Sequence, residues 1–192
     1  MSQPARTTPS TVFTPGTLVL CGMIAFTVAY RLLVHFAAGA LPWNFTPVEA
    51  MALFGGAYFA NRKLAIAVPL VALFAADCVI GFYGWMMPVV YGSVVLTAFA
   101  GTALRGRVGV ANTALAAVGS ATGFYLVTNF FVWLGGTMYP HTVAGLVESW
   151  VAGWPFYQNG SLPGTLLWSA LLFGGFALLG RRWKALQLTA AH

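Results

Sequence analysis

Charged residues are scarce in this chain, and acidic residues are scarcest. Only 6% of the 192 residues are charged, and the three acids are Glu49, Asp77 and Glu148. Soluble globular domains carry about 25% charged residues, so that class is excluded. Because 59% of the residues are hydrophobic and the mean hydropathy is +0.82, the composition predicts an integral membrane protein.

The motifs of several large enzyme classes are also missing. The sequence contains no P-loop, HExxH, GxSxG or dinucleotide-binding fingerprint. ATP hydrolysis, zinc proteolysis and nucleotide-dependent redox chemistry therefore have no recognisable machinery. No resident cofactor is indicated, and the net charge of +6 is explained by membrane topology, so nucleic acid is not an expected partner.

The chain has two cysteines, Cys21 and Cys78. The predicted topology places them at opposite depths of the membrane, about 20 Å apart at a rise of 1.5 Å per residue. A disulfide needs Cα atoms about 4.4–6.8 Å apart, so we expect none. Cys21 is expected to be a small buried residue. Cys78 is expected to be a free thiol near the outer side.

Apolar runs recur from about residue 17 to residue 181, between a polar tail over 1–16 and a second tail over 182–192. Crossing about 30 Å of hydrocarbon takes about 20 apolar residues, and backbone groups in lipid need internal partners. We therefore predict an all-α, S-component-like bundle of six transmembrane helices. These cover about 17–38, 47–61, 64–81, 88–104, 108–134 and 162–180.

The positive charges favour one orientation. Lys and Arg are retained in cytoplasmic loops, and the loops 39–46, 82–87 and 135–161 contain neither. Six spans place both termini in the cytoplasm of a bacterium, with the chain crossing the inner membrane several times. An alternative is that helix 1 is a cleaved signal peptide, with small residues at 37–40. In the six-span arrangement, eight basic residues lie on the cytoplasmic side: Arg6, Arg62, Lys63, Arg105, Arg107, Arg181, Arg182 and Lys184.

Arg31 is the exception, because it falls inside the outer half of helix 1. An unpaired charge there costs several kcal/mol, so we expect a carboxylate partner. Asp77 lies at a similar depth near the end of helix 3, where the helix dipole disfavours an acid. A salt bridge to Arg31 and a role in orienting a ligand both explain Asp77. His35 lies one turn beyond Arg31, either as an interfacial side chain or in a pocket.

Glu49 also has two interpretations. Thr46 as N-cap, Pro47 at the first helical position and Glu49 two residues later predict a capping box at the start of helix 2. Glu49 could equally reach Arg31. Helix 2 continues with small residues, including Gly55 and Gly56, that favour close helix packing. Gly119 and Gly123 form a GxxxG step that predicts another close contact.

Several polar and aromatic side chains are predicted at the outer ends of the helices. The aromatic turn of Phe82, Tyr83, Trp85 and Tyr91 is either an interfacial belt or the wall of a pocket. Asn129 is either a bond between helices or a ligand contact. The 135–161 loop contains apolar residues at helical spacing, which predict an amphipathic segment across the outer face or a lid.

The order of motifs resembles a known family. The chain carries Asn44-Phe-Thr-Pro-Val-Glu-Ala, Leu-Phe-Gly-Gly-Ala-Tyr, Asp77 with Gly81 and Tyr91-Gly-Ser. It continues with Thr128-Asn129, Trp133, Tyr139-Pro140 and Trp154-Pro-Phe. Over about residues 31–175 this pattern is similar to the substrate-binding S-components of energy-coupling-factor (ECF) vitamin transporters.

A cysteine directly after the Asp of helix 3 resembles the solitary cobalamin transporters of the BtuM type. That resemblance implies uptake of cobalamin or cobinamide (vitamin B12 and its precursor) from an outward-facing pocket, with Cys78 as cobalt ligand. It implies removal of cyanide from cyanocobalamin at Cys78, and His35, Asp77 and Tyr83 in pocket-side segments. An ECF ATPase module would not be required, and a periplasmic binding protein is compatible as a partner.

The coordination chemistry is reasonable, because a thiolate is a soft ligand that suits a transition metal. Two rival hypotheses remain. The first is an S-component for another small vitamin, which depends on an ATPase module. The second is a membrane enzyme with Cys78 as nucleophile, for which neither His35 nor His141 is a convincing base.

Overall fold

A computed structural model describes residues 15–37 and 41–182, with side chains described over 19–37 and 41–179. Most of the predicted 1–16 tail and the chain beyond Arg182 lie outside this range, as do residues 38–40 of the alternative cleavage site.

The described residues form helices joined by short connections, and they contain no strand, which confirms the all-α prediction. A π-helical turn, Tyr157–Ser161, joins the last two helices. The α-helices are α1 (Pro15–Phe36), α2 (Val48–Tyr58), α3 (Arg62–Ile80), α4 (Met86–Thr102), α5 (Val110–Gly135), α6 (Val143–Phe156) and α7 (Leu162–Arg182).

The 135–161 segment differs most from its prediction. It does not lie across the outer face, because α6 runs antiparallel beside α5 and continues through the π-helical turn into α7. Ser149 Oγ donates to the Asn129 carbonyl at 2.8 Å, and Trp150 Nε1 donates to the Leu126 carbonyl at 3.1 Å. The sixth predicted helix, 162–180, corresponds to α7, and α6 is a further helix that leads into it.

Four helical stretches are long and apolar enough to cross a membrane. They are Val19–Phe36, Arg62–Ile80, Val110–Gly135 and the continuous stretch Val143–Leu179. α4 is apolar but shorter, and α2 has 11 residues, which span only about 16 Å at 1.5 Å per residue. Length and composition thus indicate a membrane protein.

The short helix α2 lies at the centre of the bundle, with every residue from Val48 to Ala57 buried. It packs against α3, α4 and α7. Gly56 lies so close to α4 that an added Cβ would be 2.1 Å from the Ala98 carbonyl oxygen. A Cβ on Gly101 of α4 would be 2.3 Å from the Leu53 carbonyl oxygen. The small residues predicted for close packing in helix 2 have this role.

The two ends of α2 are held by partners outside the helix. The predicted capping box is wrong: Pro47 occupies the N-cap position without a side-chain bond, and Glu49 binds elsewhere. At the other end, Arg105 Nε donates to the Gly56 carbonyl and Nη2 to the Phe59 carbonyl, each at 2.8 Å. A cation on the last carbonyls complements the helix dipole.

Two further predictions are wrong, one at the GxxxG step of α5 and one at Cys21. Cβ atoms added to Gly119 and Gly123 would meet nothing within 4 Å, so the expected contact at this GxxxG step is not formed by the described residues. Cys21 is exposed rather than buried. Both cysteines are free, which confirms the expected absence of a disulfide between them.

Gly56→Ala is expected to destabilise the protein by about 1–3 kcal/mol or more, because its methyl group overlaps the α4 backbone. Gly119→Ala is the matched control, since its methyl group meets open space. It should be neutral or stabilise by a few tenths of a kcal/mol, as Ala favours helix over Gly. Unfolding titrations in detergent would measure both, and equal effects would contradict the close contact.

Candidate functional site

A buried ion pair joins α1 to α3. Arg31 Nη2 lies 2.7 Å from Asp77 Oδ1, which confirms the salt bridge predicted from their common depth. Asp77 is fully buried, and 18% of the Arg31 side chain is exposed. Two phenols donate to the second carboxylate oxygen, Tyr91 at 2.8 Å and Tyr83 at 3.3 Å. Both oxygens of Asp77 are therefore satisfied within the protein.

Tyr83 comes from the turn after α3, where Gly81 adopts φ 110° and Gly84 φ 66°, conformations that favour glycine. Partial burial raises the pKa of Tyr83 above its ordinary value, and the Asp77 carboxylate raises it further. Tyr83 therefore remains protonated at neutral pH and acts as a donor to Asp77.

A cavity of about 230 Å³, hereafter the central cavity, lies beside this ion pair. Side chains from five helices, two connections and the π-helical turn line it. They are Arg31, Asn44, Thr46, Val48, Glu49, Leu73, Tyr83, Val90, Val94, Phe124 and Ser161.

A second cavity of about 160 Å³ shares Asn44, Phe124 and Ser161 with the central cavity, so the two adjoin. Its other lining residues are Tyr125, Thr128, Asn129, Gly153, Phe156 and Tyr157. Tyr125 and Tyr157 stack with ring centroids 4.9 Å apart. Together the two cavities present aromatic faces and several hydroxyl and amide groups, which is typical of a small-molecule site.

Glu49 contributes a carboxylate to the central cavity. It is 6% exposed, and its Oε2 accepts a hydrogen bond from Thr165 Oγ1 of α7. Its Oε1 is buried without a hydrogen-bond partner among the residues that the structure describes. Glu49 does not pair with Arg31, whose salt bridge is to Asp77. One buried oxygen of Glu49 is thus left for another group.

The predicted site residues separate into three groups. Tyr83 and Asn129 line the cavities, whereas Asp77 and Tyr91 support Arg31 and Tyr83 without lining them. Asn129 Nδ2 also bonds the Tyr125 carbonyl within α5, at 2.9 Å. His35 is exposed at the end of α1, against Phe36 at 5.0 Å.

Cys78 belongs with His35 to the third group, whose members are exposed. It is exposed on α3, on the same face as the exposed Val71 and Phe74, at spacings of seven and four residues. It lines neither cavity. A residue next to Asp77 in sequence points about 100° away on a helix, so the burial of Asp77 directs Cys78 outward.

Some lining residues were not identified from the sequence. Asn44 has φ 64°, and Ser161 lies in the π-helical turn. A Cβ on Gly160 would be 1.8 Å from the Trp43 carbonyl oxygen, so this turn packs directly against the 41–46 connection. The Asn44 motif and the glycine of Asn159-Gly160-Ser161 were the available signals, but only folding brings them together.

A third cavity lies elsewhere. It occupies about 490 Å³ between α4 and α5, and its lining is mostly small and apolar, from Val127 down to Arg107. The ion pair and Glu49 do not line it. The described residues also contain no cluster of three His, Cys, Asp or Glu side chains that could bind a metal ion.

Comparison with known proteins gives a family but no function. A family model described as "Family of unknown function (DUF6580)" matches residues 12–187. The chain belongs to this family. No curated protein and no solved structure matches it. The site of this DUF6580 protein must therefore be interpreted from its own geometry.

Asp77→Asn should destabilise the protein by about 3 kcal/mol, because it leaves the Arg31 charge without an anion in a largely buried position. We place the value at the low end of the range for buried pairs since part of Arg31 is exposed. Thermal melting in detergent would measure it. The double variant Arg31→Met, Asp77→Leu should recover most of the loss, whereas an additive loss would contradict a coupled pair. The exposed acid Glu148 offers a control, and Glu148→Gln should change little.

Proposed function

We propose that this protein captures a small organic molecule from the outer side of a membrane and takes part in its uptake. The observation that carries the proposal is the central cavity, in which charged, hydroxyl, amide and aromatic side chains converge inside an otherwise apolar helical bundle. Buried polar groups in such a bundle are costly, and they mark ligand or ion sites by default. This function agrees with the resemblance to vitamin-binding S-components.

The proposed topology supports an outer opening. Six spans place Arg62, Lys63, Arg105 and Arg107 at the cytoplasmic end. The cavity-lining residue Arg31 lies near the C-terminal end of α1, and Tyr83 follows the C-terminal end of α3. Both therefore lie at the end of the bundle away from these basic residues. A six-span arrangement in a bacterial inner membrane, with both termini cytoplasmic, is therefore part of the proposal. The charge asymmetry and the position of the cavity support it.

Val90→Phe is expected to abolish capture, because it adds a ring at the wall of the central cavity. Purified protein would be equilibrated with a bacterial small-molecule extract, washed by gel filtration and analysed by mass spectrometry. Wild-type protein should retain a compound that Val90→Phe loses at least about tenfold, a difference of about 1.4 kcal/mol.

Val79→Phe is the control for that experiment, since Val79 is 58% exposed on the outside of α3. It should retain the compound as wild type does. No retained compound in wild-type protein, or equal retention by Val90→Phe, would contradict a ligand in the central cavity.

The size of the site favours a ligand smaller than a corrinoid. Pockets for drug-sized ligands occupy about 300–1,000 Å³, and the two adjoining cavities measure about 230 and 160 Å³. A corrin ring with its side chains exceeds a drug-sized molecule. An S-component-like protein for a smaller vitamin, working with an ATPase module, is therefore the form of the proposal that we favour.

Corrinoid uptake with Cys78 as cobalt ligand is the second candidate. The observation in its favour is that the Cys78 thiol is free and exposed, directly beside Asp77 in the sequence. Coordination would then occur on the outside of α3 or after a rearrangement that brings Cys78 to the cavity. Decyanation of cyanocobalamin at Cys78 belongs to this candidate alone.

The chain supplies a matched control for the thiol, because Cys21 is also free and exposed. If Cys78 coordinates cobalt, wild-type protein and Cys21→Ala should both shift the visible absorbance spectrum of cyanocobalamin. Cys78→Ala should not shift it. Spectra that are unchanged by wild-type protein, or shifted equally by Cys78→Ala, would exclude the thiolate role.

A further inference from the structure

The central cavity has an uneven balance of charge. Arg31 is the basic residue in its lining, and Asp77 already neutralises it at 2.7 Å. Glu49 is the acidic residue in the lining, and the described residues provide no ion-pair partner for it. Its one hydrogen-bond donor there is a neutral hydroxyl, that of Thr165. The wall of the cavity therefore holds a carboxyl group that no cationic side chain of the described residues pairs.

The free oxygen of Glu49 has a cost that a ligand would remove. A buried polar atom without a partner destabilises a protein by about 1–3 kcal/mol, and more when it is charged. Oε1 of Glu49 is such an atom, and the residue is only 6% exposed on the central helix α2. Every residue of α2 from Val48 to Ala57 is buried, so the cavity is the space that Glu49 faces.

From these observations we infer that the captured molecule carries a positively charged nitrogen with N–H groups, an amine or an amidine, that donates to Glu49 Oε1. The inference rests on the proposed function and specifies the ligand class for the same cavity. An ionised donor on a carboxylate gives a hydrogen bond about twice as strong as a neutral pair. An anionic ligand would instead be repelled by Glu49, with the Arg31 charge already offset by Asp77.

Arg31 adds a second feature of the ligand. Its Nε is buried and has no acceptor among the described residues, while Nη2 is engaged by Asp77. A ligand that also presents a carbonyl or ring-nitrogen acceptor would satisfy this donor. Glu49 thus selects for charge, and Arg31 orients the molecule.

Three probes of similar shape and different charge test the inference: benzamidine, benzamide and benzoate. Their dissociation constants would be measured by thermal-shift titration of wild-type protein in detergent, as a ligand of the native state raises its stability. Benzamidine should bind at least about tenfold more tightly than benzoate, with benzamide between them. Benzoate binding as tightly as benzamidine would overturn the inference.

Glu49→Gln has the same shape as Glu49 and can still accept from Thr165, so it removes the charge with little other change. It should weaken benzamidine binding at least about tenfold and leave benzamide within about twofold. Glu148→Gln, on the exposed face of α6, is the control and should bind benzamidine as wild type does. Unchanged benzamidine binding by Glu49→Gln would overturn the role of Glu49. The charge preference of the wild-type protein tests the ligand class without any variant.

The failures of the two proposals are distinguishable. If wild-type protein retains a compound that Val90→Phe loses, yet prefers benzoate or no probe, the function stands and the cationic ligand class is wrong. If wild-type protein retains no compound and none of the three probes binds, both proposals are wrong.

Discussion

The close contact of α2 with α4 is the constraint on which the rest of the structure depends. Gly56 and Gly101 let the two backbones approach so closely that either added methyl group would overlap the facing chain. This approach places an 11-residue helix at the centre of the bundle, where it contacts α3, α4 and α7. Val48 and Glu49, at the start of that helix, consequently form part of the cavity wall.

The ion pair of Arg31 and Asp77 has a supporting role beside that contact. It links α1 to α3, and the phenols of Tyr83 and Tyr91 bring the turn after α3 and the start of α4 to the same carboxylate. Both oxygens of Asp77 have partners within the protein, and the charges of Arg31 and Asp77 neutralise each other. For this reason Glu49, rather than Asp77, is the acidic residue of the site that has no ion-pair partner among the described residues.

Much of the helical architecture could be predicted, since apolar length and small-residue spacing are local properties of the chain. Helices α1 to α5 and α7 appear within a few residues of their predicted ranges. The 143–156 segment was placed wrongly because amphipathic spacing does not distinguish a helix on a membrane surface from one packed against α5. The capping box at Glu49 failed because a partner from α7, Thr165, competes with the local backbone.

The sequence by itself determined that the described part of the chain is helical, with segments long and apolar enough to cross a membrane, and that Arg31 needs a carboxylate at its own depth. Hydropathy and the cost of a buried charge are sufficient for both conclusions. Tertiary structure alone decided which polar groups face the same cavity. Neighbours on a helix point about 100° apart, so Asp77 is buried while Cys78 lies on the exposed face of α3. Asn44, Glu49 and Ser161 are distant in the chain, and only the packing of α2 and the π-helical turn brings them to one cavity.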